Sequence, residues 1–254
     1  MIRSRFTRAA LTLAALLAVG AGLFSAHLKA VALWAAGRHN GCALRACLEV
    51  PAQEHAHREA RQRIEQSMRL LGRDSAGLEL WETPLGPLWS PQRRQSAFWL
   101  ADMLAEAQAD LYSFGPVRVR PGDIVLDCGA NIGVFARQAL SAGAALVVAI
   151  EPGPASVACL NRNFAAEIAG RRFLVCPKGV WHREESLRLS TDENSSVGDS
   201  LVLPRGPSGV EVPLTRIDTL VTELALPRVD FIKLDIEGTE QEALMGARET
   251  LARF

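Results

Sequence analysis

The 254-residue sequence has no Cys-x-x-Cys pair, and its five cysteines are an odd number. That spacing supports neither a thiolate zinc site nor a disulfide framework. Cys42 and Cys47 are the one plausible disulfide pair, and a reducing compartment is the simpler reading. Net charge is also missing, because 28 Lys and Arg balance 28 Asp and Glu. Such a chain has no global electrostatic pull toward nucleic acid. Acidic residues are absent before Glu49, whereas Arg3, Arg5, Arg8, Lys29, Arg38 and Arg45 all precede it. There is no internal repeat, and no low-complexity tract beyond the Ala-rich start.

What is present is apolar bulk: 48% of residues are hydrophobic, enough to bury a sizeable core. Three arginines precede Ala9 to Ala26, a stretch without charge. It reads as a signal peptide, a membrane anchor, or an apolar helix lying on a membrane or on the domain. Its leucines, valine and phenylalanine would favour insertion by roughly 2–4 kcal/mol, before the cost of its polar residues and glycines. The expectation is an N-terminal apolar helix over 1–34, associated with the membrane through residues 9–26, and a cytoplasmic catalytic domain; a wholly cytoplasmic chain is the alternative.

Residues 35–77 are expected to be a helical linker, with Ile64, Met68 and Leu71 on one stripe of a helix over 54–71. The main domain is expected over 78–254. Leu78 to Pro91, with three prolines and two tryptophans, reads as irregular or hairpin structure. Ser96 to Tyr112 is a helical candidate. Beyond Gly122, strand and helix signals alternate. Ile124 to Leu126, Leu146 to Ile150, Phe173 to Val175 and Phe231 to Leu234 are short apolar strands. Helical spacing follows the first of them, as Ile132, Phe135, Ala136, Ala139 and Leu140. It follows the second as Val157, Leu160, Phe164 and Ile168, and the last as Leu244, Ala247 and Leu251. Thr239 and Glu242 form a capping-box pattern for that last helix. Leu187 to Leu189 and Val210 to Leu214 read as extended pieces or crossover loops. The alternation predicts an α/β fold, a doubly wound Rossmann-like parallel sheet with covered faces.

In such a sheet, ligands bind beyond the carboxyl ends of the strands, and Asp127, Glu151 and Asp235 all fall at those ends. Gly129 and Gly133 let the backbone turn tightly and approach a ligand. Glu151 ends the second strand, where a carboxylate can accept bonds from two ribose hydroxyls. A nicotinamide dinucleotide would need G-x-G-x-x-G against its pyrophosphate. Here Asp127 holds the first glycine position, which disfavours a pyrophosphate and suits a cationic amino acid moiety. The pattern therefore predicts S-adenosylmethionine as cofactor.

Asp127-Cys128-Gly129-Ala130-Asn131-Ile132-Gly133, Val148-Ala149-Ile150-Glu151-Pro152 and the stretch from Asp230 to Glu240 resemble the FkbM family of class I methyltransferases. Glu242 to Ala247 continues the likeness. It covers roughly residues 115–254, the motif-bearing core, and extends more loosely over 78–114. The resemblance implies methyl transfer to an oxygen, on a saccharide or other small-molecule acceptor. It implies Asp127, Gly129, Asn131 and Gly133 as the methionine-side loop, Glu151 as the ribose ligand, and Gly179 and Val180 as the backbone framing the adenine. The resembled fold continues into further strands after the last helix here, so C-terminal strands and part of an acceptor pocket are expected to be missing.

Transfer to a hydroxyl needs a base near the acceptor. Asp235 is the first candidate and Glu237 the second, with Glu240 behind them. Asp235 and Glu237 are also the positions for a divalent cation held through oxygen. Lys233 would share the sheet face of Asp235 as an ion-pair partner. His182 is a further candidate base, and the polar loop Asn194 to Ser200 a candidate contact for substrate or cofactor. The competing functions are a non-catalytic cofactor-binding or interaction protein on the same scaffold, and an NAD-binding oxidoreductase.

Overall fold

The computed structural model describes residues 26–38, 41–191, 201 and 209–254. The apolar run 9–26, apart from Ala26, lies outside the described residues, as does the loop Asn194 to Ser200. The expected N-terminal anchor gains no support, since among the described residues no helix is long and apolar enough to cross a membrane.

The chain forms two compact units, Met1–Ala60 and Arg61–Phe254. In the first, residues 26–35 are helical, and the Trp34 indole donates to the Cys42 carbonyl. Helix α1 (Leu44–Ser67) ends earlier than its apolar stripe suggests. The Ser67 hydroxyl donates back to the Ile64 carbonyl. Leu71 is not on the helix but in strand β1 (Arg69–Arg73), which pairs antiparallel with β2 (Leu78–Thr83). Strand β2 in turn pairs with β3 (Gly86–Pro91) in a tight hairpin. Thr83 closes it, donating to the Gly86 carbonyl and accepting from the Leu85 N–H. Pro84 occupies the turn and Pro91 ends β3, while Pro87 lies within β3, an edge strand that can do without a ladder donor on its open side.

Helix α2 (Ser96–Gln108) precedes the central sheet. That sheet is wholly parallel, with order β10-β4-β5-β6. Its strands are β4 (Ile124–Cys128), β5 (Leu146–Ile150), β6 (Phe173–Cys176) and β10 (Phe231–Leu234). Period-two alternation sorts their side chains onto two faces. Ile124, Leu126, Cys128, Val148 and Ile150 pack with helix α6 (Ile217–Glu223) and with Ala243 of helix α7 (Glu240–Met245). Val125, Val147, Ala149 and Phe173 pack on the other face with helices α3 (Val134–Ser141) and α4 (Pro154–Asn163). Both faces are therefore covered, and this is the doubly wound arrangement the alternation predicts. Helix α4 stops at Asn163, and a short α5 (Ala165–Ala169) carries the chain to Gly170. A further sheet, β7-β9-β8, comprises β7 (Gly179–Val180), β8 (Glu185–Ser190) and β9 (Gly209–Thr215).

The last helical stretch differs from its sequence reading. It is two helices, α7 and α8 (Arg248–Arg253), with Ala243, Ala247 and Thr250 buried and Leu244 and Leu251 exposed. The break is held from outside. The Gly246 carbonyl accepts from the Asp218 N–H, while a β-carbon at Gly246 would lie 2.1 Å from the Trp181 carbonyl oxygen. The Asp218 carboxylate then caps α8, accepting from the Thr250 N–H and hydroxyl and from the Glu249 N–H. Burial alone would push the Asp218 carboxyl up, but those Thr250 and Glu249 bonds and the Arg216 guanidinium outweigh it and hold it low. Nor does Glu242 complete a capping box with Thr239. It approaches His182 Nδ1 at 2.7 Å instead, and Glu240 serves the turn, accepting from the Ile236 and Gly238 N–H groups.

Candidate functional site

At the carboxyl ends of β4, β5 and β10 a cleft opens, lined among others by Gly129, Asn131, Glu151, Lys233, Asp235 and Glu237. Its position follows from the topology: parallel strands end together, and the loops leaving them diverge to the two faces. Of the residues the sequence singles out, Gly179 and Val180 also line it, from β7.

The loop after β4 is shaped by left-handed residues, with Gly129 at φ 75°, Asn131 at φ 50° and Gly133 at φ 92°. The glycines serve chain packing as well as turning. A β-carbon at Gly129 would lie 2.0 Å from the Asp235 carbonyl oxygen, and one at Gly133 would lie 2.2 Å from the Phe164 ring. Asn131 tolerates the left-handed region better than most residues. Its backbone N–H donates to Glu151 Oε2 at 2.8 Å. Glu151 Oε1 accepts from the Gly153 N–H at 2.7 Å. Two charge-assisted bonds thus fix this carboxylate at the tip of β5. Beside it, Ile150, Pro152, Val180, Leu189 and Leu201 give the cleft an apolar side.

Asp127 is placed differently from its sequence reading. It is 0% exposed and lies beneath the cleft rather than on its wall. Its partner is Lys233, the residue directly across the parallel register on β10. Lys233 Nζ stands 3.3 Å from Asp127 Oδ1 and 3.9 Å from Asp235 Oδ2, and donates to the Gly129 carbonyl at 2.7 Å. The ammonium therefore ties two carboxylates and the glycine loop together. Burial pushes the Asp127 carboxyl up, Lys233 draws it back, and the Asp235 charge pushes it up again.

Asp235 follows the end of β10, with half of its side chain exposed. Glu237 has φ 56° and lies in the turn that leads to α7. No third ligand joins these two: among the described residues no group of three or more His, Cys, Asp or Glu is placed to hold a metal ion. The divalent cation thus gains no support. His182 is paired with Glu242 and does not line the cleft.

The sequence reading missed Tyr112, which lies just beyond α2. Its hydroxyl donates to Asp235 Oδ2 at 2.6 Å, and its ring meets Phe135 edge-on at 5.1 Å. Phe135 in turn stacks on Phe231, two residues before Lys233. Burial, then the hydrogen bond and charge of Asp235, and then the charges of Glu106 and Asp127 push the Tyr112 phenol well above its ordinary value. No local motif marks Tyr112, because its partner is 123 positions away. Met103, Glu106 and Gln138 complete this side, and the Gln138 amide donates to the Ala107 carbonyl to join α2 and α3.

The ionisable lining is one-sided. Glu106, Glu151, Asp235 and Glu237 supply four carboxylates, against the single ammonium of Lys233, among the described residues. Such a wall attracts a cationic ligand and repels a pyrophosphate.

Comparison with known proteins gives the family of the chain. A family profile described as "Methyltransferase FkbM domain" matches residues 127–254. The "31-O-demethyl-FK506 methyltransferase FkbM" of Streptomyces tacrolimicus is 28% identical over 162 residues, which is 52% of this chain and 62% of that protein. "Methyltransferase sdnD" of Sordaria araneosa is 27% identical over 158 residues, 49% of this chain and 60% of that protein. The chain thus spans about three-fifths of the length of these curated relatives. Among solved structures, a methyltransferase FkbM from Methylobacillus flagellatus is similar at TM-score 0.41 and 17% identity, over 80% of this chain and 46% of that one.

Proposed function

The chain belongs to the FkbM methyltransferase family, and from that premise we propose that it binds S-adenosylmethionine in the β4–β5–β10 cleft and methylates a hydroxyl oxygen of a small-molecule or saccharide acceptor. The observation that carries the reading is the fixed Glu151 carboxylate beside an apolar side, within a wall that among the described residues carries four carboxylates and one ammonium. A ribose diol suits that carboxylate, a flat base suits the apolar side formed by Pro152, Val180 and Leu201, and a sulfonium suits the negative wall. An oxygen acceptor is in keeping with the name of the Streptomyces relative, which specifies a 31-O position for that protein.

The cofactor supplies an activated methyl group on a positively charged sulfur. The residues of this chain supply alignment and proton removal. Gly129, Asn131 and Gly133 hold the loop at the methionine end, and Asp127 acts on that loop through Lys233. Gly179 and Val180 frame the base. Asp235 takes the proton of the acceptor hydroxyl, with Glu237 as the second carboxylate within reach of the same space.

The test has two parts. Calorimetry with S-adenosylhomocysteine is expected to give saturable binding. A labelled-methyl transfer screen over saccharides, lipids and small hydroxylated metabolites is expected to give label on oxygen. Folded protein that binds the cofactor yet labels no acceptor would instead favour a binding protein on this scaffold.

A further inference from the structure

The Asp235 carboxylate accepts from the Tyr112 hydroxyl at 2.6 Å and pairs with the Lys233 ammonium at 3.9 Å, both through Oδ2. A carboxylate bound on one oxygen is held in one rotamer and turns the other oxygen to whatever shares the cleft. The donor is well placed to do this. Tyr112 lies within a turn in which Asp110 adopts φ 52° and the Ser113 N–H returns to the Asp110 carbonyl at 3.1 Å. Its ring is gripped by Phe135 on one side, with Lys233 Nζ 5.5 Å from its centroid. The charged groups around it are Asp235, Glu106 and Asp127, which keep the phenol protonated, and Lys233. At working pH it is therefore a donor and not a base.

We propose that Tyr112 is a positioning residue for Asp235: its hydroxyl pins Oδ2 so that Oδ1 is presented to the acceptor hydroxyl. This rests on the methyltransfer reading above, in which Asp235 receives the acceptor proton. In that step the hydroxyl O–H bond breaks, its electron pair forms the new O–CH3 bond, the methyl–sulfur bond breaks onto sulfur, and the proton goes to Oδ1. Tyr112 gains and loses nothing. A phenylalanine would fill the place against Phe135 but would lack the hydroxyl that bonds Asp235.

The chain contains one tyrosine, so this contact can be observed without knowing the acceptor. Protein labelled with 13C at the tyrosine ζ carbon gives one resonance, whose pH titration reports the phenol. In the wild type that resonance is expected to titrate well above free tyrosine. In Asp235→Asn it is expected to titrate lower by at least about one pH unit, since the anion that opposes phenolate formation is gone. Addition of S-adenosylhomocysteine is expected to shift the resonance, because Tyr112 lines the cleft. Tyr112→Phe keeps the ring and its packing. It is expected to bind S-adenosylhomocysteine within about twofold of wild type. With the acceptor found in the screen, its kcat is expected to fall by roughly 10- to 100-fold with KM little changed, the range for loss of a hydrogen bond to a charged group. An Asp235→Asn titration identical to wild type, or an undiminished kcat in Tyr112→Phe, would overturn the inference while leaving the methyltransfer reading in place. Wild-type protein that binds no S-adenosylhomocysteine would overturn the methyltransfer reading, and the inference with it.

Discussion

Single residues in this cleft do work that their type alone does not reveal. Glu151 is held by two backbone N–H groups, so its carboxylate arrives already oriented and a ligand need not order it. Glu151→Gln keeps the shape but removes the charge and replaces one acceptor oxygen with a donor. It is expected to weaken S-adenosylhomocysteine binding at least about tenfold, measured by calorimetry, and to lower the melting temperature, because its amide NH2 must face the Asn131 or Gly153 N–H in place of an acceptor. Gly129 behaves in the opposite way, through the scaffold. A methyl group there meets the Asp235 carbonyl and the backbone is left-handed, so Gly129→Ala is expected to cost about 2–4 kcal/mol in denaturant unfolding and to lose binding as well. Asp127 shows what residue type leaves open. The sequence places it at a strand end, where it reads as a direct ligand; in the fold it is buried beside Lys233, whose ammonium also bonds the Gly129 carbonyl. That distinction was illegible in sequence because it depends on which strand lies beside β4.

At the scale of elements, the four parallel strands were legible because their buried apolar runs are short and end in carboxylates or turns. The last helix was not, because its break is imposed by Trp181 and Asp218 from distant parts of the chain. Likewise, α1 ends at Ser67 because Arg69 to Arg73 find a strand partner in β2, against the helical stripe. The hairpin was readable from its prolines, but what anchors it was not. Asn163 at the end of α4 donates to the Trp89 and Ile132 carbonyls and accepts from the Trp89 N–H. Asn163→Ala strips three backbone groups of their partner and is expected to lower stability by about 2–3 kcal/mol in denaturant unfolding. Asp218 offers a test by pH. Its folded carboxyl is held below its unfolded value, so its contribution is present above the unfolded value, about 4, and is lost as pH falls through the folded one. The melting temperature is expected to drop on acidification below about pH 4. Asp218→Asn is expected to start lower at pH 7 and to lose less over that acid range.

For the whole molecule, a formal charge of zero conceals a cleft whose described lining carries four carboxylates and one ammonium. Composition could not reveal this, since it emerges only when the ends of β4, β5 and β10 and Glu106 of α2 come together. It is also the property that separates the two cofactor classes the sheet architecture allows. A sulfonium nucleoside brings positive charge to this wall, whereas a dinucleotide brings two negative phosphates. The measurement that bears most directly on the central claim is calorimetric titration of S-adenosylmethionine into the folded wild-type chain, beside NAD and beside Glu151→Gln. The expected result is saturable one-to-one binding of S-adenosylmethionine, at least about tenfold weaker in Glu151→Gln, with no heat from NAD. Binding of NAD with no binding of S-adenosylmethionine, or equal binding by wild type and Glu151→Gln, would contradict it.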